Sequence, residues 1–145
     1  MTTIVRVLLV MALMLAPSLA QNKVPSERAL EALVKATLLT FNDANVTGNY
    51  EVFHAKLSKP FREQFPVERL ARRFQEFNKK HVDFDIIAAL KPGYDPAPKV
   101  DGDGKLLVKG SFPTEPLQVY FNLEFIPSDG EWKLIGINVK VGDPK

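Results

Sequence analysis

From Leu117 to Phe125 apolar and polar residues alternate without a break, with Leu117, Val119, Phe121, Leu123 and Phe125 on one side and Gln118, Tyr120, Asn122 and Glu124 on the other. A period of two predicts a β-strand with one face buried and the other wet or paired. Asp129-Gly130 predicts a tight turn from the end of this strand at Ile126 into a last strand that begins at Glu131, and the Asp-Gly steps of residues 101 to 104 predict another turn into a strand over Lys105 to Phe112. Upstream the period lengthens to that of a helix. Ser26 is placed to cap a first helix with Glu27 at its positive end, Leu30, Leu33, Val34, Thr37, Leu38 and Phe41 fall at helical spacing, and Gly48 ends the run. A short second helix is predicted from about Asn49 to Leu57, burying Val52, Phe53 and Leu57, with Pro60 stopping it and FREQF forming a turn. Pro66 suits the first position of a third helix whose Val67, Leu70, Phe74 and Phe77 make an apolar stripe, while Arg69, Arg72, Arg73 and Glu76 face away. The β-branched content of His81 to Leu90 predicts a first strand near Asp85 to Leu90, and the prolines and glycines of KPGYDPAPKVDGDGK predict a loop or an edge strand after it. Helices first and a meander last define an α+β class.

The first 20 residues follow a different logic. One Arg at position 6, an apolar run from Val7 to Ala16, Pro17 and then Ser18-Leu19-Ala20 form the three parts of a secretory signal peptide, with cleavage expected after Ala20. Ten apolar residues fall short of the roughly 20 that span a bilayer. The expected mature chain, residues 21 to 145, is then a single domain with a secreted or periplasmic location and no membrane association after removal of the leader. Its charge falls from +2 to +1 with the loss of Arg6, a balance that predicts no bulk attraction to nucleic acid. The absence of cysteine excludes disulfides, thiolate metal sites and a lipid-bearing cysteine at the cleavage site, so stability must come from packing.

Motifs that bear chemistry are few. The DGDG of residues 101 to 104 opens like a calcium loop, yet the twelfth position is Phe112 where a bidentate Glu is needed, and Lys105 takes a ligand position, so it reads as a turn. Two histidines 27 residues apart give no zinc spacing, and neither a metal nor another cofactor is expected. Arg62, Arg69, Arg72, Arg73, Lys79 and Lys80 are interleaved with Glu63, Glu68 and Glu76, the pattern of a solvated helix face. His81 and Asp83, two apart, would share a face if this stretch were a strand, but it also reads as a connector, and a surface position is the expectation for both. Asn45-Val46-Thr47 matches a glycosylation sequon, which matters only in a host that glycosylates.

The FNDANVTGNYEVFHAKLS stretch of residues 41 to 58 resembles the junction of the first two helices in the nuclear transport factor-like superfamily, and the terminal Gly130-Glu131-Trp132-Lys133 strand is similar to the last strand of those domains. The resemblance covers nearly all of residues 24 to 141. It implies three N-terminal helices packed on a curved antiparallel sheet, a cone with a pocket between sheet and helices, and a homodimer through the outer sheet face. Phe41, Phe53, Phe74, Phe77, Phe121 and Phe125 are the expected apolar lining of that pocket. Enzymes of the superfamily place acids and tyrosines among such residues, where desolvation raises a carboxyl pKa. Here the position of the isomerase base reads Leu57-Ser58-Lys59-Pro60, and the apolar face of the long strand carries no acid. A non-enzymatic domain that binds a small apolar ligand or an envelope protein is therefore expected, with no catalytic residue. The alternatives are an isomerase-like or hydrolase-like enzyme using Asp43, His54 or Tyr50 at the cone mouth, and a structural accessory module of an envelope complex.

Overall fold

The computed structural model describes residues 23–145. The expected leader and its cleavage after Ala20 lie outside the described residues. Helix α1 spans Glu27–Thr47, and its start is fixed as the sequence requires, because Ser26 Oγ accepts a hydrogen bond from the Ala29 N–H at 3.2 Å. Its end is fixed by Gly48, whose φ of +72° is the left-handed cap that a side chain disfavours. Four shorter helices follow: α2 (Glu51–Lys56), α3 (Lys59–Gln64), α4 (Val67–Arg73) and α5 (Gln75–Lys79).

The helical half departs from the predicted three helices in identifiable ways. Pro60 does not end a helix but sits in the first turn of α3, where its missing N–H has no intrahelical partner to lose, so FREQ is helical rather than a turn and Phe65 caps it. Helix α2 is too short to bury two faces: Phe53 points inward and Val52 is 64% exposed. The third predicted helix is broken at Phe74, which closes α4 by a bond from its N–H to Leu70 and opens α5.

The segment expected to be the first strand is a 3-10 helix, Asp85–Ala89. Side chains upstream dictate it. Asn42 Oδ1 accepts from the Phe84 N–H at 3.0 Å, Asn42 Nδ2 donates to Asp83 Oδ1 at 2.8 Å, and that same Asp83 oxygen accepts from the Asp85 N–H at 3.1 Å. With its first amides held by side chains, the segment turns, and only Ile87 is buried while Ile86 is 56% exposed.

The sheet is antiparallel and has five strands. Two-residue strands β1 (Gly93–Tyr94) and β2 (Lys99–Val100) both pair with β3 (Leu106–Phe112), which pairs with β4 (Gln118–Ser128), which pairs with β5 (Glu131–Gly142). The irregular loop thus supplies two edge strands. Gly110 makes the crossing of β1 possible, since a Cβ there would lie 1.9 Å from the Gly93 carbonyl oxygen. Both hairpin turns form where the Asp-Gly steps predict, with Asp129 and Gly130 at positive φ and Asp101 Oδ1 accepting from the N–H groups of Asp103 and Lys105 at 2.9 Å. Strand β4 opens at Gln118, so Leu117 lies ahead of it and is 41% exposed instead of joining the buried face. A bulge after Glu124 shifts the register, so that Phe125 faces Leu134.

Leu30, Val34, Leu38 and Phe41 of α1, together with Leu106, Val108 and Phe112 of β3 and Val119, Phe121, Leu123 and Phe125 of β4, belong to one buried cluster. At one end Leu57 bridges Leu134 in parallel, and the Ser58 N–H donates to the Leu134 carbonyl at 3.0 Å, tying the helical half to β5. Among the described residues no helix is long and apolar enough to cross a membrane.

Candidate functional site

Helix α1 has two working faces. One, at Leu30, Val34, Leu38 and Phe41, is buried in the core. The other, at Ala29, Leu33, Ala36, Thr37 and Thr40, forms one wall of an open groove of about 570 Å³. Phe53 of α2 and Leu57 just after it, with Phe125 of β4 and Trp132 and Leu134 of β5, line the rest. The two threonines keep this wall apolar by bonding to their own helix, Thr37 Oγ1 to the Leu33 carbonyl at 2.8 Å and Thr40 Oγ1 to the Ala36 carbonyl at 2.7 Å.

The six phenylalanines expected to line a pocket divide into two groups. Phe53 and Phe125 line the groove. Phe41, Phe74 and Phe77 pack against one another, with Phe41 ring centroids 4.9 Å from Phe74 and 5.4 Å from Phe77, and Phe121 packs against Phe112 at 5.6 Å. Aromatic contacts of this kind fill space. Groove residues that the sequence reading missed are Ala29, Leu33, Ala36 and Trp132. The available signal was the strip of small and hydroxyl residues beside the apolar stripe of α1, together with the single Trp of the chain.

The catalytic alternatives are kept apart. Asp43 is exposed on α1, and its carbonyl accepts from Thr47 Oγ1 at 2.7 Å. The Tyr50 hydroxyl donates to Asn45 Oδ1, and burial pushes its pKa up to about 12. The ring of His54 places Nε2 3.3 Å from the Arg62 carbonyl oxygen, which can only accept, so Nε2 carries the proton. These three side chains share no hydrogen bond among the described residues. His81 and Asp83 do not pair either, because Asp83 is committed to Asn42 and Asp85 and His81 sits exposed at a φ of +52°.

The sequon asparagine is enclosed. Asn45 is 1% exposed, holds Tyr50 through its side chain and Asn78 through its carbonyl, and would have to leave the core to carry a glycan. The basic series is solvated or spent locally: Arg62 donates to the Leu57 carbonyl, Arg69 donates to the Gln64 carbonyl at 3.0 Å and lies 4.8 Å over the Phe65 ring, and Lys79 pairs with Glu76 at 3.7 Å.

The outer sheet face bears the expected polar row, and the register sets Ser111 and Lys140 beside Tyr120 and Lys109 and Asn138 beside Asn122. The C-terminal residues fold back onto it. The Tyr120 hydroxyl donates to the Asp143 carbonyl at 2.6 Å, and the Lys145 ammonium lies 5.5 Å over the Tyr120 ring.

Comparisons of the chain with protein-family models, with curated proteins and with solved structures return no match.

Proposed function

We propose that the chain is a non-enzymatic binding domain, secreted or periplasmic, that takes up a small apolar ligand in the groove between α1 and the start of β5. The observation that carries this reading is an apolar groove of about 570 Å³ beside a phenylalanine-filled core. That volume falls within the roughly 300–1,000 Å³ in which proteins hold small molecules. The reading of location rests on the three-part pattern of residues 1 to 20, and kinship with the cone-shaped nuclear transport factor-like domains rests on the order of helices and strands. An enzyme built on Asp43, His54 or Tyr50 is disfavoured because these side chains share no hydrogen bond and none orients another.

A second reading, a homodimer through the outer sheet face, rests on the superfamily resemblance, and the surface it would use is the polar hollow lined by Lys109, Asn122, Asn138 and Lys140. A second copy docking on it would have to displace the C-terminal tail from Tyr120.

The test is native mass spectrometry of the protein purified from its own compartment, with Trp132 fluorescence followed during titration with apolar ligands. A co-purifying small molecule, or saturable quenching or blue shift of Trp132, is expected. A bare mass with a Trp132 spectrum indifferent to every ligand would sink the proposal.

A further inference from the structure

The groove is mostly apolar, and of the three charged residues in its lining, Lys56, Glu131 and Lys133, Lys56 stands at the α2 end. Lys56 is the last residue of α2, it lines the groove, and its Nζ lies 3.4 Å from Thr40 Oγ1, another lining atom. The Thr40 proton is given to the Ala36 carbonyl, so the hydroxyl accepts from the ammonium and anchors it over the groove wall. Among the described residues no carboxylate lies within ion-pair distance of Lys56, and this includes Glu131, which also lines the groove. Lys133 does not add a second cation, because strand alternation from the Pro127↔Trp132 and Ile126↔Lys133 pairs puts its side chain on the sheet face opposite to that of Trp132 and Leu134.

An apolar trough that ends at a single ammonium whose other partner is neutral matches one ligand geometry: a chain of methylenes ended by one negative charge. A fully apolar ligand leaves Lys56 unused, and a multiply charged head would carry more charge than one ammonium balances. We propose that the groove selects a long-chain carboxylate, its tail along Leu33, Phe53 and Trp132 and its carboxylate accepting from the Lys56 ammonium. This rests on the ligand-binding reading above and narrows its ligand class.

The single Trp of the chain lies in the groove and reports occupancy directly. The experiment titrates the purified full chain at pH 8 with dodecanoate, dodecanol and dodecylamine, which share a tail and differ in the head. Dodecanoate is expected to bind roughly three- to tenfold more tightly than dodecanol, the worth of one largely exposed charge-assisted hydrogen bond. Lys56→Gln should remove that difference, Lys56→Arg should restore it, and Glu131→Gln should tighten dodecanoate alone. Equal affinity for acid and alcohol, or preference for the amine, would overturn the carboxylate assignment and leave the apolar-ligand reading standing. No Trp132 response to any of the three would overturn that reading itself and this one with it. An apparent affinity that weakens as protein concentration rises would assign the groove to a second copy of the chain, and would also overturn the proposal.

Discussion

Replacement of Phe41 by alanine tests whether the interior is filled, on which the location of the site depends. Phe41 is fully buried, and its ring lies 5.5 Å from Phe53, 4.9 Å from Phe74 and 5.4 Å from Phe77. Removing a buried phenylalanine ring costs about 3–5 kcal/mol when the neighbours cannot close the gap. Here three aromatic partners, each worth ~0.5–1.5 kcal/mol beyond its buried area, lose their contact together, which argues for the upper half of that range. Two of those partners are held on separate short helices, α2 and the segment running from α4 into α5, so collapse onto the void requires both to move. With a urea m-value of about 2 kcal/mol/M, a loss of ~4 kcal/mol lowers the unfolding midpoint by about 2 M. The assay is equilibrium urea unfolding followed by circular dichroism. A loss below ~1.5 kcal/mol would mean that the ring already borders empty space, and the hollow would then have to be sought inside the core rather than beside α1.

The other expectations concern single contacts. Tyr50→Phe removes the donor to Asn45 and strands a buried carbonyl oxygen whose amide nitrogen already lacks a partner, at a cost of about 1–3 kcal/mol in urea unfolding. The same residue sets an alkaline slope. Its folded pKa, raised to about 12 from the ordinary 10.0, means that the unfolded chain releases the proton first, so stability is full below pH 10 and falls as pH rises from 10 towards 12, and Tyr50→Phe should flatten that fall. Tyr94, also raised by burial and by Glu31 and Glu27, adds to the slope in the same direction. Gly110→Ala places a methyl group against the Gly93 carbonyl and should detach β1, costing roughly 1–3 kcal/mol and removing hydrogen-exchange protection from the Asp95 N–H that donates to Lys109. Ala36→Leu fills the groove from an exposed helix position, so it should change stability by no more than ~0.5 kcal/mol while weakening ligand binding at least tenfold in the Trp132 titration.

Where a residue's role depends on its chain neighbours, it was legible in the sequence. Ser26 and Gly48 bound α1, and the two Asp-Gly turns place β3 and β5, because caps and tight turns are decided within four residues. Where a role depends on a partner 40 residues away, it was not. Nothing local in Asp85 to Leu90 discloses that Asn42 holds the Phe84 amide, and without that bond the β-branched content of the segment argues for a strand. Pro60 misled for a related reason, since the same lack of an N–H that ends one helix is harmless in the first turn of the next.

The site was harder to read than the fold because a phenylalanine that fills a core and one that lines a cavity are chemically alike. What separates Phe53 and Phe125 from Phe41, Phe74 and Phe77 is the size of the residues across from them. The latter three meet one another, whereas Phe53, which packs on Phe41 from one side, and Phe125 share the groove lining with Ala36, Thr37 and Thr40. A helix face of small residues opposite large ones cannot be packed to the density of an interior without filling by something else. Thr37 and Thr40 give up their protons to the helix backbone, which removes the donors that would otherwise favour water over a hydrocarbon chain on that wall. The same helix therefore stabilises the fold with one face and leaves the other open, so that a substitution at Ala29, Ala36 or Thr40 can reshape the groove without passing through the core.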